Sequence, residues 1–285
     1  MRIVHLSDFH YDGSTELDEA LHRLIGIAVG RRPDLVVVTG DLSAHGTSEE
    51  LARVAEELAR FGPVPRLVIA GNRDLEASAG VPGEAVRLPV ESDLDYFLSL
   101  EPALSFDFAD DETRRTRPTE TTFLTWFPAL EPVHQANGVI VVGLNSTPRL
   151  RTESLERAAR RLRQAPPGWL RVVALHHGLL PIPGRKLRDG DVTSRAGDVL
   201  ALLCDLEVDL VLHGHIHRAH AWQVSDGRQA VVVASAGALA NDERRDASFI
   251  EVLADDGRLV LWRRSVAAGS PTRLYEGARH VRVGS

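Results

Sequence analysis

Five apolar segments of the chain each run directly into a polar residue whose side chain can bind a metal ion. In chain order, these side chains belong to Asp8 and His10, Asp41, Asn72, His176, and His215 and His217. Continuously apolar segments are typical of strands buried on both faces, and the carboxyl ends of parallel strands meet at one edge of a sheet. Six of the twelve histidines fall between His176 and His220, so the last two ends are rich in imidazole. This arrangement predicts a metal site built from nitrogen and oxygen ligands.

Alternating strands and helices are predicted for the first part of the chain. The apolar spacing indicates strands over 2–7, 34–39 and 66–70 and helices over 15–30 and 48–61. Thr47 and Glu50 fit a capping box at the start of the second helix. This order favours right-handed crossovers and a parallel sheet.

The pattern breaks between about residues 75 and 137, where proline, glycine, acidic and aromatic residues are frequent. We expect this stretch to be a lid insertion that selects the substrate, because long inserted loops are often functional. The other interpretation is a small core of its own, built from aromatic residues such as Trp126 and Phe127. The two interpretations are compatible.

Regular elements resume after this insertion. The sequence predicts strands over 138–145, 172–175 and 209–212, helices over 152–164 and 194–206, and antiparallel strands over 219–224, 230–236, 248–253 and 259–265. A second sheet stacked on the first would complete an α/β fold with four layers, in the order α/β/β/α. The sequence contains no linker or repeat, so we expect one domain over residues 1–285.

Composition argues against several functions. A formal net charge of −7 disfavours a nucleic-acid-binding surface, which needs clustered lysines and arginines. Cys204 is the only cysteine, so the chain forms no internal disulfide and no thiolate metal cage. No signal peptide is recognisable, and no apolar run approaches the roughly 18 residues of a membrane span. We therefore expect a cytoplasmic protein with no transmembrane segment, and the sequence does not indicate its oligomeric state.

The polar strand ends also form an ordered set of short motifs. In sequence order they are Asp8-x-His10, Gly40-Asp41, Gly71-Asn72-Arg73-Asp74, His176 and Gly214-His215-x-His217. This set resembles the motifs of the calcineurin-like metallophosphoesterases, from the first strand to the last motif. Each motif alone is weak evidence, whereas five of them in this order are highly specific. The resemblance implies the metallophosphoesterase sandwich.

The resemblance also implies a pair of divalent transition-metal ions. The residues that would hold them are Asp8, His10 and His217 for one ion, Asn72, His176 and His215 for the other, and Asp41 as the bridge. His177 is the alternative to His176, because the match around the fourth motif is imperfect. The mixed nitrogen and oxygen ligands suit Mn, Fe or Zn.

The function that the resemblance implies is hydrolysis of a small phosphorylated substrate by a water molecule that the metals activate. Arg73 and Asp74 are the candidate catalytic residues. Arg73 stands where many family members have a histidine, and it binds phosphoryl oxygens but cannot donate a proton at neutral pH. This favours leaving groups that depart without a proton, unless His177 or His45 supplies one.

Two branches of the family share further details with this chain. The Gly71–Asp74 motif and the ending at His217 and Arg218 resemble bacterial UDP-diacylglucosamine pyrophosphatases. The pair His176-His177 and the segments 143–146 and 234–237 resemble cyclic-nucleotide phosphodiesterases. A phosphodiester such as a cyclic nucleotide is our first expectation, and a nucleotide-sugar phosphoanhydride is the second. A binding module without catalysis is a third interpretation, which the complete set of ligands disfavours.

Overall fold

Two six-stranded sheets form in the residues that the computed structural model describes, which are 1–75, 118–182, 190–227, 229–239, 247–255, 257–267 and 269–279. The strands in chain order are β1 (Arg2–Leu6), β2 (Leu35–Thr39), β3 (Arg66–Ile69), β4 (Val133–Ala136), β5 (Val139–Leu144), β6 (Leu170–Leu175), β7 (Leu210–His213), β8 (His220–Ser225), β9 (Ala230–Ser235), β10 (Ser248–Ala254), β11 (Arg258–Ser265) and β12 (Thr272–Ala278). The helices of the described residues are α1 (Thr15–Gly30), α2 (Ser48–Ala59), α3 (Asn72–Leu75), α4 (Pro118–Trp126), α5 (Thr152–Arg163) and α6 (Ala196–Asp205).

The first sheet has the strand order β12-β11-β10-β1-β2-β3. Its strands β1, β2 and β3 are parallel, and β10, β11 and β12 extend it from β1 in antiparallel pairs. The second sheet has the order β4-β5-β6-β7-β9-β8, with β5, β6, β7 and β9 parallel and both edge strands antiparallel to their neighbours. The parallel strands of each sheet therefore end at one common edge.

Three buried apolar layers hold the sheets and helices together. The middle layer lies between the two sheets and includes Ile3 and Val37 of the first sheet and Val141 and Leu212 of the second. On the outer face of the first sheet, α1 and α2 bury their apolar sides, and α5 and α6 do the same on the second sheet. The central strands are buried on both faces, which explains their continuous apolar sequence. The predicted α/β/β/α sandwich is confirmed.

The capping box at the start of α2 is also confirmed. Glu50 N donates to Thr47 Oγ1 at 3.3 Å, and Thr47 N donates to Glu50 Oε2 at 3.4 Å. Each of these bonds gives a partner to a backbone N–H that the start of the helix would otherwise leave unpaired.

The strands at the end of the chain depart from the prediction, which made all four of them antiparallel. The structure divides them between the sheets, with β8 and β9 in the second and β10 and β11 in the first. β9 is antiparallel to β8 but parallel to β7, and this second pairing contradicts the prediction. The physical reason is that the chain skips one strand position after β7 and returns through a hairpin into the gap.

Two strands and two short helices were not predicted at all. β4 and β12 are edge strands in which exposed and half-buried residues predominate. α3 is a four-residue helix directly after β3, and α4 is a short helix within the predicted insertion. Short edge elements bury few side chains, so their apolar period is weak. The larger part of the predicted lid, residues 76–117, lies outside the described residues. Within the described residues, no helix combines the length and the apolar character needed to cross a membrane.

Candidate metal centre

The structure brings the seven predicted ligands together at the edge where β1, β2, β3, β6 and β7 end. They form two groups, in which single ligand atoms lie within 4.8 Å of one another: Asp8, His10 and His217 in the first, and Asp41, His176 and His215 in the second. Asn72 joins the second group, because its Oδ1 lies 3.1 Å from His176 Nε2.

The first group is arranged around two imidazoles. His10 Nε2 lies 2.8 Å from His217 Nε2, and Asp8 Oδ1 lies 3.9 Å and 3.6 Å from these two nitrogens. Ligand atoms that share one ion at bond lengths of about 2.0–2.2 Å lie roughly 3 Å apart. The spacing of these three candidate ligand atoms fits a cation that they bind together.

The second group is arranged around His176, which is fully buried. Its Nδ1 lies 2.7 Å from the carbonyl oxygen of Thr39, which can only accept, so Nδ1 carries a hydrogen. This hydrogen bond leaves Nε2 to face three other candidate ligand atoms, which are Asn72 Oδ1 at 3.1 Å, His215 Nδ1 at 3.2 Å and Asp41 Oδ2 at 3.4 Å. A backbone carbonyl that fixes the tautomer of a ligating histidine is a common feature of metal sites.

Asp41 lies between the two groups. Its Oδ2 is 3.7 Å from His10 Nε2 and 3.4 Å from His176 Nε2, while its Oδ1 accepts a hydrogen bond from Arg73 N at 2.8 Å. The combined set of carboxylates, one amide oxygen and imidazoles contains no thiolate, and such a set fits Mn, Fe or Zn. The residues present therefore fit two ions joined by one carboxylate.

Five of these ligands have a left-handed backbone conformation, which is uncommon for residues other than glycine. The φ angles are 56° at Asp8, 46° at His10, 51° at Asp41, 71° at His215 and 56° at His217. Each such residue costs on the order of 1–3 kcal/mol and persists only where its surroundings hold it. This concentration of backbone strain is typical of a functional site.

Backbone hydrogen bonds between the loops hold this conformation. Asp8 N donates to Gly40 O at 2.9 Å, and His10 N donates to Asp41 O at 3.0 Å. His215 N donates to both carboxylate oxygens of Asp8 at 3.0 Å. The three ligand loops therefore fix one another.

Two glycines permit this close approach. A Cβ atom at Gly71 would overlap the carboxylate of Asp41, and one at Gly214 would overlap the side chain of Ser7 and approach that of Asp8. Any larger residue at either position would push two ligand loops apart.

Burial and charge act in opposite directions on the pKa values of the ligands. Burial lowers the pKa of His176, but the carboxylates of Asp41 and Asp8 outweigh it and raise that pKa above its ordinary value. Burial raises the pKa of Asp41, and His176 and His10 reverse this effect, so that the pKa is lowered. The pKa of His215 falls to about 4, mainly through burial. A cation bound beside Asp41 would replace the proton of His176, because a ligating imidazole is neutral.

The two predicted catalytic residues lie differently from each other. The side chain of Arg73 is exposed, and its amide holds Asp41. Asp74 is fully buried; its Oδ1 accepts from Leu42 N at 2.9 Å and Ser43 N at 3.0 Å, and its Oδ2 accepts from Gly71 N at 2.9 Å. Burial and the neighbouring Asp41 raise the pKa of Asp74 to about 6. This carboxyl ties the loop after β2 to the loop after β3, which is the work of a positioning residue.

His177 lies beside the ligands but outside both groups. Its Nδ1 is 2.8 Å from Ser146 Oγ, and burial lowers its pKa to about 2. The geometry therefore favours His176 as the ligand. Sequence reasoning missed the contributions of Thr39 and Ser146. Thr39 acts through a carbonyl that every residue has, and nothing in the sequence marks it.

Comparison with known proteins is consistent with this geometry. A family model described as calcineurin-like phosphoesterase matches residues 1–219. The chain belongs to this family. No match to a curated protein sequence was found.

Three solved structures with TM-scores of 0.60 to 0.64 resemble the chain over nearly all of its length. A purple acid phosphatase from yellow lupin (Lupinus luteus) seeds matches 97% of the chain with a TM-score of 0.64 and 17% identity, and the chain spans 53% of that protein. A dimetal phosphatase from Danio rerio matches 96% of the chain and 98% of its own length, with a TM-score of 0.61 and 12% identity. The anchor in the inner membrane complex of Plasmodium matches 99% of the chain and 89% of its own length, with a TM-score of 0.60 and 13% identity. At these identities the likeness establishes the fold alone.

Proposed function

We propose that this protein is a dinuclear-metal-dependent phosphoesterase that hydrolyses a phosphodiester, such as a cyclic nucleotide. The observation that carries the proposal is the position of Asp41, whose Oδ2 lies within 3.7 Å of His10 Nε2 and 3.4 Å of His176 Nε2. One carboxylate is thereby shared by two ligand groups. Two divalent ions such as Mn, Fe or Zn would acidify a water molecule there and polarise the phosphoryl group.

The side chains of the chain itself would bind and orient the substrate. Arg73 follows the ligand Asn72, and its exposed guanidinium can bind two phosphoryl oxygens at once. Its amide keeps the carboxylate of Asp41 in place, and Asp74 keeps the two loops in register. Substrate binding and ligand geometry thus depend on one short segment.

A phosphoanhydride of the nucleotide-sugar or UDP-diacylglucosamine type is the second candidate substrate. The observation that favours it is Arg73 itself, because a guanidinium stabilises charge but supplies no proton. A phosphate leaving group needs no proton, whereas an alkoxide does. The choice between the two substrates therefore depends on whether another residue donates a proton.

A binding protein without catalysis is the candidate from another class. The fold by itself does not decide against it, because one protein of similar structure is described as an anchor. The complete ligand set favours an enzyme, since a protein that only binds has no need of two clustered ligand groups.

The test is metal analysis together with a substrate panel. Protein reconstituted with Mn, Fe or Zn should hold up to two ions per chain and hydrolyse bis-4-nitrophenyl phosphate and cyclic nucleotides. The Asp41→Asn variant loses the shared negative charge, so its ion content should fall and its kcat/KM should drop by at least about 100-fold, as for loss of a charge-stabilising group. Asp198→Asn, which changes an exposed carboxylate on α6, is the matched control.

Two results would contradict the proposal. Undiminished two-ion binding by Asp41→Asn would show that the ligand assignment is wrong. Two bound ions in the native protein without turnover of any ester or anhydride in the panel would favour the binding protein.

A further inference from the structure

The loop between β2 and α2 carries an imidazole that metal binding does not explain. Glu50 is buried and accepts two hydrogen bonds from His45, from its amide at 3.0 Å and from its Nδ1 at 2.7 Å. The same carboxylate accepts from Thr47 N at 3.4 Å in the capping box. One side chain thus caps α2 and fixes the ring of His45, while the side chain of His45 stays 56% exposed.

The neighbours of His45 place its loop at the rim of the metal centre. The residue before it donates its amide hydrogen to Tyr11 O at 2.9 Å, and Tyr11 follows the ligand His10. The residue after it, Gly46, lies against the segment that follows Asn72, because a Cβ added there would be 3.1 Å from the carbonyl oxygen of Arg73. The loop of His45 therefore lies between two ligand loops.

Glu50 determines which nitrogen of the ring is available. A carboxylate oxygen only accepts, so Nδ1 of His45 carries a hydrogen. A further proton therefore resides on Nε2, on the opposite side of the ring from Glu50. In this form the ring can donate one proton and keep its hydrogen bond to Glu50.

The other two candidates for a proton donor are unsuitable. Arg73 keeps its proton at neutral pH. His177 directs Nδ1 at Ser146 Oγ, 2.8 Å away, and its ring packs on that of His215 at a centroid distance of 4.5 Å. We infer that His45, oriented by Glu50, is the proton donor to the leaving group; the inference rests on the proposed phosphoesterase function.

The step balances without any further reactant. The oxygen of the attacking water forms a bond to phosphorus and releases one proton to solvent as the bond from phosphorus to the leaving oxygen breaks. The Nε2 proton of His45 passes to that leaving oxygen, which departs as an alcohol. The ring is then neutral, with its Nδ1–H still donated to Glu50, and takes up a proton from solvent before the next turnover. Leaving groups that would otherwise depart as alkoxides gain most, so His45 selects alkyl phosphodiesters as the substrate class.

The test is the dependence of kcat/KM on the leaving group. Native protein and His45→Gln, each reconstituted with metal, are compared on aryl phosphodiesters of rising leaving-group pKa and on a 3′,5′-cyclic nucleotide. His45→Gln should lose about 10²–10⁴-fold on the cyclic nucleotide, the usual worth of a positioned acid, and at most about tenfold on bis-4-nitrophenyl phosphate. Its metal content should equal that of the native protein.

Two control variants separate this effect from a general loss of structure. His22→Gln alters another exposed histidine, whose Nδ1 pairs with the buried carboxylate of Glu57 at 3.1 Å, and it should leave the leaving-group dependence unchanged. Glu50→Gln should change the dependence of kcat/KM on the leaving group in the same direction as His45→Gln, but by less. Thr47→Ala weakens the cap of α2 without touching His45, so it should lower Tm and leave the dependence unchanged.

Each outcome decides a different point. Equal losses by His45→Gln on all substrates, or no loss on the cyclic nucleotide, would overturn the assignment of His45 and leave the phosphoesterase function intact. Absence of hydrolysis by the metal-loaded native protein would overturn both.

Discussion

At the scale of single residues, Arg73 can contribute to the site in two ways, through its backbone amide and through its side chain. Its amide donates to Asp41 Oδ1 at 2.8 Å, and every residue except proline could do the same. Its guanidinium is exposed, so its charge is available to a phosphoryl group. Backbone and side chain can therefore be separated by mutation.

We predict that Arg73→Ala lowers kcat/KM by about 10²–10³-fold on every diester, equivalent to about 2.7–4 kcal/mol of transition-state stabilisation. Metal content should stay unchanged, because the amide that holds Asp41 is still present. Arg73→Lys keeps the charge without the planar fork and should recover only part of the loss. The measurements are steady-state kinetics and metal analysis. A parallel fall of metal content and activity would instead give Arg73 a structural role.

The sequence predicts ligand identity better than it predicts the partners of the ligands. Asp8 and His215 could be identified because their residue types stand at the ends of apolar strands. The carbonyl of Thr39 that fixes His176, and the double use of Glu50, could not, because they depend on backbone atoms and on distances between loops. The contacts of Asp74 could not be predicted for the same reason, since its partners are the backbone amides of Leu42, Ser43 and Gly71.

At the scale of secondary-structure elements, α4 shows why an aromatic cluster is difficult to interpret from sequence. Phe127, just after this helix, is buried and packs on Phe123 at a centroid distance of 5.1 Å. Trp126 is 40% exposed, donates from Nε1 to Ser48 Oγ at 3.1 Å, and lines a cavity of about 240 Å³ beside Leu58. Adjacent aromatic residues thus have different surroundings, which an irregular sequence period does not reveal.

Two substitutions should separate these surroundings. Phe127→Ala should lower the free energy of unfolding by about 3–5 kcal/mol, the usual cost of deleting a buried aromatic ring. Trp126→Ala should cost about 1 kcal/mol, the worth of one hydrogen bond, and should change the ranking of bulky and small diesters instead. Denaturant unfolding and kinetics on both substrate types test this. Equal losses of stability in the two variants would place both rings in the core.

At the scale of the whole molecule, the strand order of the two sheets depends on contacts between residues that are far apart in the sequence. The sequence predicted the parallel strands β1, β2 and β3 and the four layers, because each strand carries its own apolar pattern. It could not predict that β10 pairs with β1, for example Ile250 with His5, because nothing local encodes that pairing. The contact between sheets then creates an environment that no single strand has, and His5 lies in it.

His5 follows Ile3 on the face of β1 that meets the second sheet, and it is fully buried. Its Nε2 lies 2.9 Å from Thr39 Oγ1, and among the described residues its Nδ1 has no hydrogen-bond partner. Burial, and to a lesser degree His213, lower the pKa of His5 to about 3. A charged ring at this position would separate the sheets.

Acid should therefore destabilise the entire fold through this residue. The unfolded chain takes up a proton on His5 below a pH of about 6.5, whereas the folded chain does so only near pH 3. The stabilisation is complete above about pH 6.5 and is lost as the pH falls, by roughly 2–3 kcal/mol at pH 4.5. His5→Gln should reduce the loss of unfolding free energy between pH 7 and pH 4.5 by that amount, measured by denaturant unfolding with a chelator present. Thr39→Val, which removes only the hydroxyl partner, should lower stability equally at both pH values. An unchanged pH dependence in His5→Gln would show that other groups cause the acid sensitivity.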